Sequence, residues 1–116
     1  MDKVDRLSLT ADKYVELSYR NDEFFLRLIE RQTNQPPVYL THEFPISRGE
    51  LESLAYTPRH ANVLMNLSGL HVRYMDQQLA FMEDGTVLAW GARKFMEHFV
   101  QNWFKQLGQT GTAKSA

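Results

Sequence analysis

Histidines are the residues of this chain whose type best fits a metal site, and there are four: His42, His60, His71 and His98. A zinc-type centre needs two or three such ligands together, ideally spaced i, i+4 on a helix or i, i+2 on a strand. No two of these histidines have either spacing. The sequence therefore predicts no metal ligands and no cofactor-binding residues.

A serine or carboxylate catalyst would need neighbours that the sequence does not supply. Ser68 and His71 lie close together in the chain, but no G-x-S-x-G elbow surrounds Ser68. Glu83 and Asp84 adjoin a predicted turn, where Asp is favoured for its own backbone hydrogen bonds. None of the six glycines belongs to a phosphate-binding loop motif. We expect no catalytic residues and no enzymatic activity.

One predicted strand combines arginine with apolar side chains on a single face, which carries Phe25, Arg27, Ile29 and Arg31. Sheets that bind single-stranded nucleic acid use exposed aromatic rings beside Arg and Lys. The charge distribution disfavours this function, because residues 1–46 have a net charge of −2 and the net charge of +3 lies in residues 86–116. Binding of single-stranded nucleic acid is therefore the alternative hypothesis.

Alternation and turn residues divide the chain into strands and helices. Period-two patterns predict strands over residues 4–9, 15–20, 23–31, 38–44, 70–75, 78–83 and 87–90. Asn21-Asp22 and Asp84-Gly85 are typical turn pairs between such strands. Apolar residues at i, i+3 and i+4 spacing predict a long amphipathic helix over residues 92–107, ended by Gly108.

Two short helices are predicted between the strand groups. Ser47-Arg48-Gly49-Glu50 fits a capping box, in which Ser47 and Glu50 each bind the other's backbone N–H. Thr57-Pro58 is typical of a second helix start, and Ser68-Gly69 of its end. These signals are structural and indicate no activity.

This order of elements predicts an α+β fold with one antiparallel sheet of about seven strands, four before the two short helices and three after them. The long C-terminal amphipathic helix is expected to pack on that sheet. We expect residues 1–108 to form a single domain and residues 109–116 a flexible tail, because the latter are small and polar. The element order is similar to that of the whirly-type single-strand binders, in which four strands and a helix occur twice. That resemblance carries no residue motif, and this chain departs from it by one strand.

Composition places the chain among ordinary globular proteins, with 43% hydrophobic and 23% charged residues and a net charge of −1. The absence of cysteine excludes disulfide scaffolds, thiolate metal sites and thiol nucleophiles. No apolar run follows the N-terminus, and none reaches the ~18 residues of a membrane span. We therefore expect a cytoplasmic protein that does not contact membranes.

The central strands are apolar on both faces, whereas the strands of a sheet with one solvated face should alternate apolar and polar residues. Either the sheet curls strongly enough to bury both faces, or a partner covers one of them. The second explanation predicts a non-catalytic protein-binding module, such as a regulator, adaptor, inhibitor or chaperone-like factor, that forms a homodimer or binds another protein. The predicted partner-binding residues are Phe25, Ile29, Leu88 and Trp90, with Arg27 and Arg31 at the rim.

Overall fold

The structure, a computed structural model, describes residues 2–56 and 63–112. It is an α+β fold whose strands and helices follow one another along the chain as β1 (Lys3–Ser8), β2 (Lys13–Arg20), β3 (Glu23–Gln32), β4 (Val38–Ile46), α1 (Arg48–Tyr56), β5 (Val63–Leu67), β6 (Leu70–Tyr74), β7 (Gln78–Glu83), β8 (Thr86–Ala92) and α2 (Arg93–Thr112).

The strands form two four-stranded antiparallel sheets, in the orders β1-β2-β3-β4 and β5-β6-β7-β8. The prediction of an α+β fold with antiparallel strands and a long C-terminal helix is confirmed. The prediction of one sheet of seven strands is wrong, because the strands before and after α1 pair only within their own group. Each group is a meander, so consecutive strands are neighbours and short turns join them.

The additional strand is β5, where the sequence analysis placed the second short helix. Val63, Met65 and Leu67 alternate with more exposed residues, and β5 pairs with β6 in antiparallel register. Ser68 and Gly69 have φ values of 49° and 87° and join these two strands. A Ser-Gly pair with positive φ fits a two-residue hairpin turn as well as a helix end, and here it forms the hairpin. The predicted start at Thr57-Pro58 lies outside the described residues.

Helix α2 confirms the predicted long amphipathic helix, but it differs from the prediction in the exposure of one apolar residue and in the position of its end. Met96, Val100 and Trp103 are buried, whereas Phe95 is 65% exposed and does not belong to the buried stripe. The helix continues through Gly108 to Thr112, beyond the predicted end. Within the two described ranges, no helix combines the length and the apolar character that crossing a membrane requires.

Both sheets and both helices contribute to one hydrophobic core. Leu17 and Leu26 from the first sheet, Phe81 from the second, and Leu54 and Met96 from the helices are all fully buried in it. Strand β8 approaches the β1–β2 turn closely. A Cβ atom added at Gly91 would lie 2.6 Å from a methyl carbon of Leu9, so glycine permits this contact. Each sheet thus buries one face in the core and has a second face on the outside.

The start of α1 has the predicted capping box. The Ser47 N–H donates to Oε1 of Glu50 (2.8 Å), and the Glu50 N–H donates to Oγ of Ser47 (3.1 Å). We expect Ser47→Ala to lower the free energy of unfolding by about 1 kcal/mol, because it leaves the Glu50 N–H without this acceptor. Chemical denaturation measures this change, and Ser47→Asp, which keeps an accepting oxygen, should lose much less. Equal losses in the two variants would show that the cap is unimportant.

Candidate functional site

The outer face of the first sheet carries a row of alternating charges across all four strands. Arg6, Glu16, Arg27 and Glu43 are register neighbours on β1, β2, β3 and β4. Glu16 accepts a hydrogen bond from Arg6 at 3.1 Å and forms an ion pair with Arg27 at 3.2 Å, and Arg27 donates to Glu43 at 2.9 Å. Arg20 binds the other oxygen of Glu43 at 3.1 Å. We call these five residues the charge ladder. Its arginines are neutralised by neighbours within the sheet.

Four of the six predicted partner-binding residues lie on this outer face. Phe25 is half-buried, because the Arg20 guanidinium lies 4.1 Å from its ring centroid. Ile29 is 7% exposed and lies in register between Tyr14 and Thr41. Arg27 belongs to the charge ladder, and Arg31 is exposed near the end of β3. The structure therefore brings these residues together, but they do not form an open apolar patch.

The arginines of the charge ladder hold the pKa of Glu43 below its ordinary value of 4.5, first through the hydrogen bond from Arg27 and then through that from Arg20. A carboxylate with a lowered pKa in the folded state contributes stability that is complete above the unfolded pKa and is lost as the pH falls through the folded pKa. We therefore expect wild-type stability to fall more steeply than that of Glu43→Gln below about pH 4.5. Denaturation series between about pH 3 and pH 7 test this, and parallel curves would contradict it.

The outer face of the second sheet is open and largely apolar. Register neighbours form two rows across its four strands: Leu64, Arg73, Ala80 and Trp90 in one, and Asn66, His71, Met82 and Val87 in the other. Leu64 is 52% exposed, Val87 47% and Trp90 42%. These eight residues, which we call the Trp90 face, include one residue with a permanent charge, Arg73. The apolar side chains that made both faces of β7 and β8 hydrophobic in sequence therefore lie partly in the core and partly on this face.

Trp90 and Leu88 do not share a face as predicted. The pairing of β7 with β8 shifts between Phe81 and Met82, so that β8 contains an additional residue at this point. Such a bulge breaks the simple alternation of side chains. Leu88 is partly buried and packs against the core, whereas Val87 lies opposite Met82 on the Trp90 face.

Sequence reasoning missed Leu64, Arg73 and Val87 as neighbours of Trp90. Leu64 had been assigned to a helix, although the alternation of Val63, Met65 and Leu67 was a signal for the strand. Arg73 could have been placed by strand alternation once the pairing was known. Val87 could not, because nothing in the local sequence locates the bulge.

Of the residues considered for catalysis or metal binding, His60 lies outside the described residues, and the others are distributed over the fold. Ser68 donates its hydroxyl to Oε1 of Glu50 at 2.8 Å and thereby ties the β5–β6 turn to the start of α1. His71 lies on the Trp90 face and His42 on β4, on different sheets. In the part of the chain that the structure describes, no three His, Cys, Asp or Glu residues are placed to hold a metal ion.

What the arrangement offers is an exposed surface for recognition. Trp90 has the cation of Lys13 at 5.6 Å from its ring centroid on one side and the row of Ala80, Arg73 and Leu64 on the other. Such a surface can bury apolar area against a partner and orient it through a few polar groups. Comparison with family models, with curated proteins and with solved structures gives no match for this chain.

Proposed function

We propose that this protein is a non-catalytic protein-binding module and that the Trp90 face is the surface with which it binds its partner. The observation that supports this proposal is the set of exposed apolar side chains of Leu64, Val87 and Trp90 on a sheet whose other face is already buried in the core. Exposed contiguous apolar surface is typical of sites where another protein docks.

Trp90 is the expected centre of this contact. Tryptophan is among the residues that most often dominate binding energy at protein interfaces, and Arg is another. Arg73 lies two strands away from Trp90 in the same row, separated by the small side chain of Ala80. Ala80 itself is 6% exposed, so the contact with a partner is expected to involve its larger neighbours.

Single-stranded nucleic acid is the second candidate ligand, and one observation favours it. Trp90, His71 and Arg73 on one face, with Lys13 nearby, resemble the aromatic and cationic platforms on which bases stack. Phosphate binding draws on several cations, however, and the Trp90 face itself has one permanent positive charge. Three of the four arginines of the first sheet give no compensation, because Arg6, Arg20 and Arg27 are bound to carboxylates. Protein binding is therefore the favoured function.

The experiment compares what three forms of the chain recover from a nuclease-treated native cell extract. The forms are the wild type, Trp90→Glu, and the matched control Val4→Glu. Val4 is 58% exposed and lies on the outer strand β1 of the other sheet, so both changes place a glutamate on an exposed strand position. We expect Val4→Glu to recover the same protein as the wild type, and Trp90→Glu at least about 30-fold less of it.

Circular dichroism and denaturation establish that both variants are folded before the comparison. Equal recovery by Trp90→Glu and the wild type would contradict the proposal. In a separate binding assay without nuclease, retention of an added single-stranded oligonucleotide that Arg73→Ala releases would replace the proposal by the nucleic-acid alternative.

A further inference from the structure

Strand β4 is an edge strand with an unusually exposed segment. Its residues from Val38 to Glu43 are all exposed on both faces, and Phe44 is the first that is partly buried. Val38 and Leu40 are each 47% exposed, and Tyr39 is 55% exposed. The tip of the β3–β4 hairpin therefore extends beyond the core and presents apolar side chains that the described part of the chain does not cover.

The hydrogen-bonding direction of the β4 edge follows from β3. Arg31 donates its backbone N–H to the Asp12 carbonyl (2.7 Å), on the side of β3 away from β4. Successive residues of a strand direct their backbone groups to opposite sides, so the even-numbered residues of β3 bind β4. Their register partners are also even-numbered, such as His42 opposite Leu28. The backbone N–H and C=O groups of Tyr39, Thr41 and Glu43 are therefore directed outward.

Prolines limit the part of this edge that can pair with another strand. Pro45 has no N–H and occupies the next outward-directed position, and Pro36-Pro37 precedes β4. Three outward-directed residues remain, with Thr41 in the middle. An antiparallel strand that is centred on Thr41 uses all of them.

We infer that this protein forms a homodimer in which β4 of one copy pairs antiparallel with β4 of the second copy, around a two-fold axis at Thr41. Thr41 then lies opposite Thr41, and Tyr39 lies opposite Glu43 of the second copy on both sides of the axis. Each of these three residue pairs can exchange two backbone hydrogen bonds, about six in all. The two first sheets become one continuous sheet of eight strands, which removes the free edge of β4 in both copies.

The side chains support a second copy of this chain as the occupant. On the core side of the sheet, the two-fold axis places Val38 opposite Phe44 of the second copy and Leu40 opposite His42. The exposed apolar start of β4 in each copy then lies beside the partly buried end of β4 in the other copy. On the outer side, the Tyr39 hydroxyphenyl ring lies beside Glu43, whose charge is already balanced by Arg20 and Arg27. No like charges are placed opposite each other in this pairing.

The other three sheet edges are less suited to this role. Strand β1 carries three charged residues, Lys3, Asp5 and Arg6, and Lys3 donates to Gln106 of α2 at 3.0 Å. Strand β5 has five residues, compared with nine in β4. Strand β8 contacts the first sheet through Gly91 and Leu9. Edges are usually protected by Lys or Pro, and the stretch from residue 38 to residue 44 contains neither.

The test compares Thr41→Pro with Thr41→Val by sedimentation equilibrium over a range of concentrations. Proline removes the outward N–H of residue 41 without taking a hydrogen bond from β3, and Pro45 occupies an equivalent position in the same strand. Valine keeps that N–H and the β-branched shape. We expect the wild type and Thr41→Val to form dimers, and the dissociation constant of Thr41→Pro to rise at least about tenfold. Circular dichroism should show both variants folded.

Amide hydrogen exchange gives a second measurement that does not depend on a variant. The N–H groups of Tyr39, Thr41 and Glu43 should become protected as the wild-type concentration rises. A wild type that stays monomeric, or a Thr41→Pro variant that dimerises as tightly as Thr41→Val, would overturn the inference. The dimer is independent of the proposed function, because Trp90→Glu should still form it. A negative result at the β4 edge therefore does not contradict the proposal for the Trp90 face, and a negative result at the Trp90 face does not contradict the dimer.

Discussion

Replacing Trp103 by alanine is expected to lower the free energy of unfolding by about 3–5 kcal/mol, a large part of the 5–15 kcal/mol that is typical of a domain. Trp103 is 1% exposed and is the largest fully buried side chain of the described residues. Its ring forms edge-on contacts with Phe24 (centroid distance 5.9 Å) and Phe104 (6.1 Å). Its removal leaves a cavity where α2 meets the first sheet.

Chemical denaturation of Trp103→Ala and Phe95→Ala measures this contribution. Phe95 lies on the same helix but is 65% exposed, so we expect its truncation to change stability by about 0.5 kcal/mol or less. A loss below about 1 kcal/mol for Trp103→Ala would show that α2 is peripheral to the core.

Replacing Glu16 by leucine should have the second largest effect, a loss of about 2–3 kcal/mol in the free energy of unfolding. The Glu16 side chain is 8% exposed and lies between Arg6 and Arg27 in the charge ladder. Its loss leaves Arg27 without one of its two carboxylate partners in a partly desolvated position. The expected loss of stability is smaller than for a fully buried ion pair, because Arg27 is 33% exposed and can be hydrated.

A double-mutant cycle separates the ion pair from simple packing. The variant with both Glu16→Leu and Arg27→Leu should be more stable than Glu16→Leu alone, since it removes the arginine that had lost one of its two carboxylate partners. Arg6→Leu is the exposed comparison, with an expected change of about 1 kcal/mol or less, because the Arg6 side chain is 53% exposed. Strict additivity of the Glu16 and Arg27 changes would contradict the structural role of the charge ladder.

Local signals in the sequence were sufficient for most of the fold. The capping box at Ser47, the turn pairs at Asn21 and Asp84 and the period of α2 each depend on a few neighbouring residues, and each is confirmed. The division into two sheets depends instead on which strands pair over long distances. The Ser68-Gly69 pair is compatible with both a helix end and a hairpin turn, and only the pairing of β5 with β6 distinguishes the two structures.

The candidate site was harder to predict than the fold for the same physical reason. Alternation correctly placed Phe25, Arg27, Ile29 and Arg31 on one face, but it could not show that carboxylates from β2 and β4 neutralise Arg27. Those contacts are set by the register between strands. The bulge that turns Leu88 toward the core likewise belongs to the pairing of two strands and not to either one alone.

The proposal that the Trp90 face binds a protein is tested most directly by photo-crosslinking. A photoreactive benzoylphenylalanine is introduced in place of Trp90, and in a parallel form in place of Val4, and each is irradiated in its native cell extract. We expect residue 90 to give a protease-sensitive adduct with a second protein that residue 4 does not give. An adduct that contains nucleic acid, or equal labelling from the two positions, would contradict the proposed function.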